Sequence, residues 1–140
     1  MYKHILVPLD GSTLAETVLP HVERLAKENG AKISLLQVVI AHTIPGTDPT
    51  DAQVEVVERA KKYLGQVAEK LEQAGLTVET HIRYGHDAEE ILDHAESNDI
   101  DLVAMCSHGQ SGIGRWNLGG VTKRVVSHCI KPVLTIRARP

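Results

Sequence analysis

A chain of 140 residues is the size of one domain, and such a domain buries roughly two-thirds of its unfolded surface without a disulfide framework. Its 42% hydrophobic content excludes disorder of the whole chain, while a net charge of −3 and 3% aromatic residues argue against a nucleic-acid partner. No apolar run approaches the ~20 residues of a membrane span, Met1 leads straight into a strand-like run, and Cys106 and Cys129 are too few for a disulfide scaffold, so the expectation is a cytoplasmic protein with no membrane partner.

The run His4-Ile5-Leu6-Val7-Pro8-Leu9 ends in Asp10-Gly11-Ser12 and reads as a buried strand stopped by a turn. Thr13, with Glu16 three residues on, has the form of a capping box. The helix it would open has apolar positions Leu14, Val18, Val22, Leu25 and Ala26 and ends at Asn29-Gly30. Pro20 lies inside that pattern and predicts a kink, because it removes a backbone donor. Ile33 to Ile40 reads as a central strand. Ala41 to Thr50, with Pro45, Gly46 and Pro49, reads as a mobile loop. From Asp51 a long helix carries Val54, Val57, Ala60, Leu64, Val67, Leu71 and Ala74 three or four apart, and Gly75 ends it.

Thr77 to Arg83 alternates, with Val78, Thr80 and Ile82 on one face, which predicts an edge or half-exposed strand. Gly85-His86-Asp87 opens a third helix with Ala88, Ile91, Leu92 and Ala95 inward and Glu89 and Glu90 at its positive end. Ile100 to Cys106 is a fourth strand. A glycine-rich loop from Gly109 to Gly120 leads into a fourth helix that begins near Gly119-Gly120 and runs to about Cys129, and Pro132 opens a last strand, Val133 to Ile136. Strands alternating with helices predict one α/β domain over residues 1–140, a parallel sheet with helices on both faces.

In an open α/β sheet, ligands bind outside the carboxyl ends of the strands, where the strand order reverses. Two strand ends here are unusual. The first is Pro8-Leu9-Asp10-Gly11-Ser12. The second runs from Ser107-His108-Gly109 through Gly112, Gly114 and Arg115 to Gly119-Gly120, where it meets a helix N-terminus. Glycines let backbone amides approach a ligand closely, and a helix N-terminus attracts anions, so this pair of ends points to a phosphate-bearing ligand, with Arg115 as a phosphate contact. No Lys-Ser/Thr follows the glycines, which excludes a P-loop. Asn117 stands where a dinucleotide fingerprint needs its third glycine, and strand three runs into Arg83-Tyr84-Gly85 rather than the Asp of a receiver domain. Ser107 and His108 are neighbours whose side chains point apart on a strand, so they do not form a hydrolytic pair, and Cys106 with His108 supplies too few ligands for zinc.

At these residues the sequence resembles the universal stress protein family over nearly its whole length. The matching segments are Ile5 to Ser12, Gly85 through Ile91, the closing Lys131-Pro132-Val133-Leu134, and the family's ATP-binding signature Gly-x2-Gly-x9-Gly-Ser/Thr, whose second and third glycines fall on Gly109 and Gly119. The resemblance implies a Rossmann-like, adenine nucleotide alpha hydrolase-like sheet of five parallel strands in the order 3-2-1-4-5. It implies binding of ATP (or ADP or AMP) with Mg²⁺, and a homodimer through the last strand. Residue by residue, it implies Asp10 near the ribose and phosphates or their metal and Val38 against the adenine through its backbone. Gly109, Gly119, Gly120 and Val121 would lie near the phosphates and ribose, with Pro8, Leu9, Met105, His108 and Thr122 as further members of the site. Two positions depart from the signature, whose first glycine is Cys106 here and whose final hydroxyl residue is Gly120. The expectation is that the Cys106 side chain crowds the nucleotide and that Gly120 forfeits one phosphate donor. The leading function is a nucleotide-dependent association in stress response. The alternatives are a dimeric interaction module without nucleotide and a weak ATPase.

Overall fold

A computed structural model of the chain describes residues 1–40, 49–108 and 118–138. The three most apolar segments form the centre of a sheet: β1 (His4–Pro8), β2 (Lys32–Val39) and β4 (Leu102–His108). β3 (Thr77–Tyr84) and β5 (Val133–Ala138) flank them, and all five strands are parallel in the order β3-β2-β1-β4-β5. The alternating segment Thr77 to Arg83 is therefore an edge strand, as its pattern predicts.

Among the described residues four α-helices cover the two faces: α1 (Leu19–Asn29) and α2 (Pro49–Gln73), then α3 (Asp87–Ser97) and α4 (Leu118–His128). Alternate strand residues sort the core in two. Ile5, Val7, Ile33, Leu35, Leu102 and Ala104 pack against Val22 and Ala26 of α1 and Leu64, Val67 and Leu71 of α2. Leu6, Leu36, Val38, Val103 and Met105 pack against Ala88, Ile91 and Ala95 of α3 and Val121 and Val125 of α4. Burying both strand faces is what lets the central strands be largely apolar. Among the described residues no helix is long and apolar enough to cross a membrane.

Three local readings are corrected. The segment after β1 opens with a 3₁₀ turn (Ala15–Val18), and α1 starts only at Leu19, so Pro20 sits in the first turn of α1, where its missing donor is not needed, and breaks no helical ladder. Nor do Thr13 and Glu16 form a capping box. The Glu16 side chain accepts from Tyr63 of α2, and Ser12 caps the turn instead, its Oγ accepting from the Ala15 amide at 3.2 Å. The segment Ala41–Thr50, expected to be a mobile loop, is corrected at its far end, where Pro49 and Thr50 open α2; residues 41–48 lie outside the described residues. Gly75 ends α2 with φ at 93°, and the Gly75 and Leu76 amides close on the carbonyls of Glu72 and Leu71, a Schellman ending that places β3 alongside β2.

Candidate functional site

The chain runs from β1 out to both sides: β2 and β3 lie on one flank, β4 and β5 on the other. The order reverses between β1 and β4, so the crevice expected to hold a ligand lies at their carboxyl ends.

β1 stops at Pro8, but the Leu9 amide still donates to the Leu36 carbonyl at 2.8 Å, which carries the chain one residue further along β2. The turn then begins. Asp10 Oδ1 accepts from the Ser12 amide at 2.9 Å and the Ser12 hydroxyl at 2.5 Å, and Gly11 takes φ of 88°. This local pairing holds the carboxylate in place with only 7% of Asp10 exposed. Its second oxygen, Oδ2, is buried with no hydrogen-bond partner among the described residues, and so is Oε1 of Gln37 on β2. Gly11 joins the two groups, since a Cβ at that position would lie 3.8 Å from the Gln37 amide nitrogen.

Asp10, Gly11 and Gln37 open onto a cavity of about 330 Å³ whose walls include Val39, Arg59 and Tyr63. The Tyr63 hydroxyl donates to Glu16 Oε2 at 2.8 Å. Burial, that bond and the nearby charges of Glu16 and Asp10 push the phenol far above its ordinary value, so Tyr63 remains a neutral donor and cannot act as a base. A buried, unpartnered acceptor costs free energy, roughly 1–3 kcal/mol, unless something donates to it or a cation neutralises it. Two such acceptors beside one cavity therefore favour a ligand that brings hydroxyls or a cation.

The other expected site positions are distributed over the strand ends and α4. Pro8, Leu9, Val38, Met105 and Cys106 are buried, with Leu9 in the core under α1 and α2 and Val38 and Met105 in the core under α3 and α4. Leu9, Val38 and Met105 present their backbones to the strand ends while their side chains fill the interior. Gly119, Gly120, Val121 and Thr122 form the first turns of α4, with Val121 and Thr122 turned inward. His108 ends β4 in register with Ala138. Gly109 and Arg115 lie outside the described residues.

Two of these side chains are engaged within the fold. Cys106 is 2% exposed, and its Sγ lies 3.2 Å from the hydroxyl of Thr17 in the 3₁₀ turn. Residue 106 shares the strand face of Leu102 and Ala104, so its side chain is packed beneath that turn. Thr122 Oγ1 donates to the Cys106 carbonyl at 3.0 Å, which commits that hydroxyl to the fold. Gln37, Glu16 and Tyr63 were not among the site residues read from the sequence. Gln37 carries a usable signal, being the one amide in the apolar run from Ile33 to Ile40. Tyr63 and Glu16 carry none, because their meeting depends on how α2 crosses the sheet.

A single buried carboxylate oxygen fits Mg²⁺ arriving with a nucleotide, since that ion keeps several waters and takes most of its other ligands from phosphates. Among the described residues no three His, Cys, Asp or Glu side chains are grouped to hold a metal by themselves.

The fold and this turn-and-helix arrangement define an α/β protein of the universal stress type. The family model for universal stress proteins matches residues 1–137, and the chain belongs to that family. It is 32% identical over 142 residues to universal stress protein MJ0531 of Methanocaldococcus jannaschii, covering 98% of this chain and 83% of that one. The solved structure of MJ0577, from the same organism, superposes with a TM-score of 0.86 at 32% identity, covering 100% of this chain and 99% of that one. A universal stress protein family member from Arabidopsis thaliana, solved with AMP bound, shares the fold at a TM-score of 0.72 and 19% identity, with 98% and 92% of the two chains covered.

Proposed function

We propose that this protein binds ATP or a related adenine nucleotide, with Mg²⁺ carried by the phosphates, and acts in stress response through nucleotide-dependent association. The observation that carries the reading is the pair of buried, unpartnered acceptors, Asp10 Oδ2 and Gln37 Oε1, at the carboxyl end of the central strands. A ribose offers hydroxyl donors and a metal–phosphate group offers a cation, and either satisfies such acceptors. The first turn of α4 supplies main-chain amides without intrahelical partners, which suit phosphate oxygens. The family's ATP-binding signature falls on Gly109 and Gly119, and one protein of the same fold has been solved with AMP bound.

Asp10 orients what it binds, because Ser12 holds one of its oxygens and leaves the other, buried and unpartnered, for the ligand. Tyr63 and Glu16 tie α2 to the 3₁₀ turn and brace the wall of the cavity. Among the described residues no side chain stands as a general base for attack on a γ-phosphate, so the reading is binding with little or no turnover. In the same reading, β5 pairs with the β5 of a second copy.

Acid extraction of the purified protein tests this reading. It should release adenine nucleotide in an amount comparable to the protein, and wild-type protein that carries none and takes up none from solution would contradict it.

A further inference from the structure

We propose that β3 is a second self-association edge, at which two copies pair antiparallel about a two-fold axis through His81. The sheet ends at β3, and among the described residues no strand pairs with its outer side. The strand is eight residues long, contains no proline, and is half-exposed along its length. Those features leave an edge open to pairing.

The backbone direction is set by one bond. The Gly85 amide donates to the Val39 carbonyl of β2 at 3.2 Å. In a parallel ladder alternate residues bond to the same neighbour, so Arg83, His81 and Glu79 turn their main-chain groups toward β2. Val78, Thr80, Ile82 and Tyr84 turn theirs outward.

Antiparallel pairing centred on residue 81 makes use of that pattern. It sets Thr80 opposite the second copy's Ile82, and Val78 opposite its Tyr84, as hydrogen-bonded pairs. These are β-branched and aromatic pairs of the kind that stabilise antiparallel strands. They continue an apolar groove between β3 and α2, lined by Val54, Val57, Ile82 and Tyr84 with Lys61 at its side. Val54 is 55% exposed and Tyr84 40%, more than side chains of that size need be.

On the other face the same register sets Glu79 opposite Arg83 of the second copy, and Arg83 opposite its Glu79. Within one chain Glu79 contacts Lys32 and His81, and Arg83 contacts Glu90, Asp93 and His94, so both side chains are already held on the sheet face. Shifting the axis to residue 82 would set His81 against Arg83 and lose both opposite-charge pairs. The charge order along β3 is thus self-complementary, and the occupant it fits is another copy of this strand.

Disulfide trapping tests the register. In a Cys129→Ser background, His81→Cys places two thiols opposite each other in a non-hydrogen-bonded pair, with Cα atoms about 4.5 Å apart, within disulfide reach. Mild oxidation should convert most of that variant to a covalent dimer. Glu79→Cys should give none, because its two copies lie about 13 Å apart along the strands. No cross-link at residue 81, or equal cross-linking at both positions, would overturn the proposal. Should His81→Cys fail to fold, amide exchange on the wild-type chain decides. Val78, Thr80, Ile82 and Tyr84 amides should exchange several-fold more slowly as protein concentration rises, and exchange independent of concentration would overturn the proposal. Neither readout involves the nucleotide or β5.

Discussion

Thr122 donates its hydroxyl to the main-chain carbonyl of Cys106 at 3.0 Å, tying the second turn of α4 to the carboxyl end of β4. Both partners are buried. The bond fixes where the first turn of α4 sits relative to the strand ends. Thr122→Val keeps the shape and removes the donor, so it should cost about 1–2 kcal/mol in chemical denaturation and weaken ATP binding only several-fold. A variant as stable as the wild type would show that the bond carries no weight.

Cys106 and Gly120 separate into two effects. The Cys106 sulfur packs against Thr17, so Cys106→Gly should lower stability by about 1–2 kcal/mol through a lost contact and a more flexible strand end, and leave ATP affinity within two-fold. Gly120 stands in the first turn of α4, where a hydroxyl can reach an anion. Gly120→Ser should tighten ATP by about two- to ten-fold, the scale of one hydrogen bond. Thermal melts and calorimetry on the two variants distinguish these outcomes.

Acid should destabilise the protein through His94. This side chain is buried between α3 and β3, its Nδ1 is 3.2 Å from Arg83 Nη1, and its ring lies 4.7 Å from that of His81. Burial first, then the neighbouring His81 and Arg83, push it down to about 4 from the ordinary 6.5. Between those values the unfolded chain binds a proton that the folded chain refuses, so stability falls as pH drops from about 6.5 to about 4 and then levels off. The loss attributable to this group is about 3 kcal/mol. His4, lowered by its own burial and by Lys32, acts in the same direction. Denaturation midpoints measured across that window should follow this slope, and His94→Leu should remove the larger part of it.

The proposed β5 dimer has a selective test. The Val103 amide donates to the Pro132 carbonyl at 3.0 Å, so Leu134 and Ile136 face β4 with their main-chain groups while Val133, Thr135 and Arg137 face outward. Thr135→Pro therefore removes an outward donor and spares the internal ladder. Light scattering should report loss of the β5 contact with little change in melting temperature. A wild-type chain that is monomeric at tens of micromolar would contradict the pairing.

Much of the fold was legible because its strands are short apolar runs and its helices repeat at three and four residues. The second core shows why that works: Leu6 and Val103 alternate with Ile5, Val7, Leu102 and Ala104 of the first core and leave no polar side to misread there. Sequence patterns failed where tertiary contacts decide. Glu16 looks like a capping residue three positions after Thr13, yet Tyr63 of α2 takes it. Pro20 looks like an interruption until the 3₁₀ turn before it is seen. At the site, Asp10 was readable from its place at a strand end. Gln37 became meaningful only when β2 set it beside Gly11.

Calorimetric titration of ATP with Mg²⁺ into wild-type and Asp10→Ala protein measures whether the Asp10 carboxylate meets the nucleotide. Asp10 Oδ2 is buried and without a partner among the described residues, so its loss falls on the ligand, while loss of the Oδ1 bonds to Ser12 is read separately in a thermal melt. The wild type should bind one ATP per chain, and Asp10→Ala should bind it ten- to hundred-fold more weakly, a difference of about 1.4–2.7 kcal/mol. Equal affinity in the two proteins, or no binding by the wild type, would contradict the account.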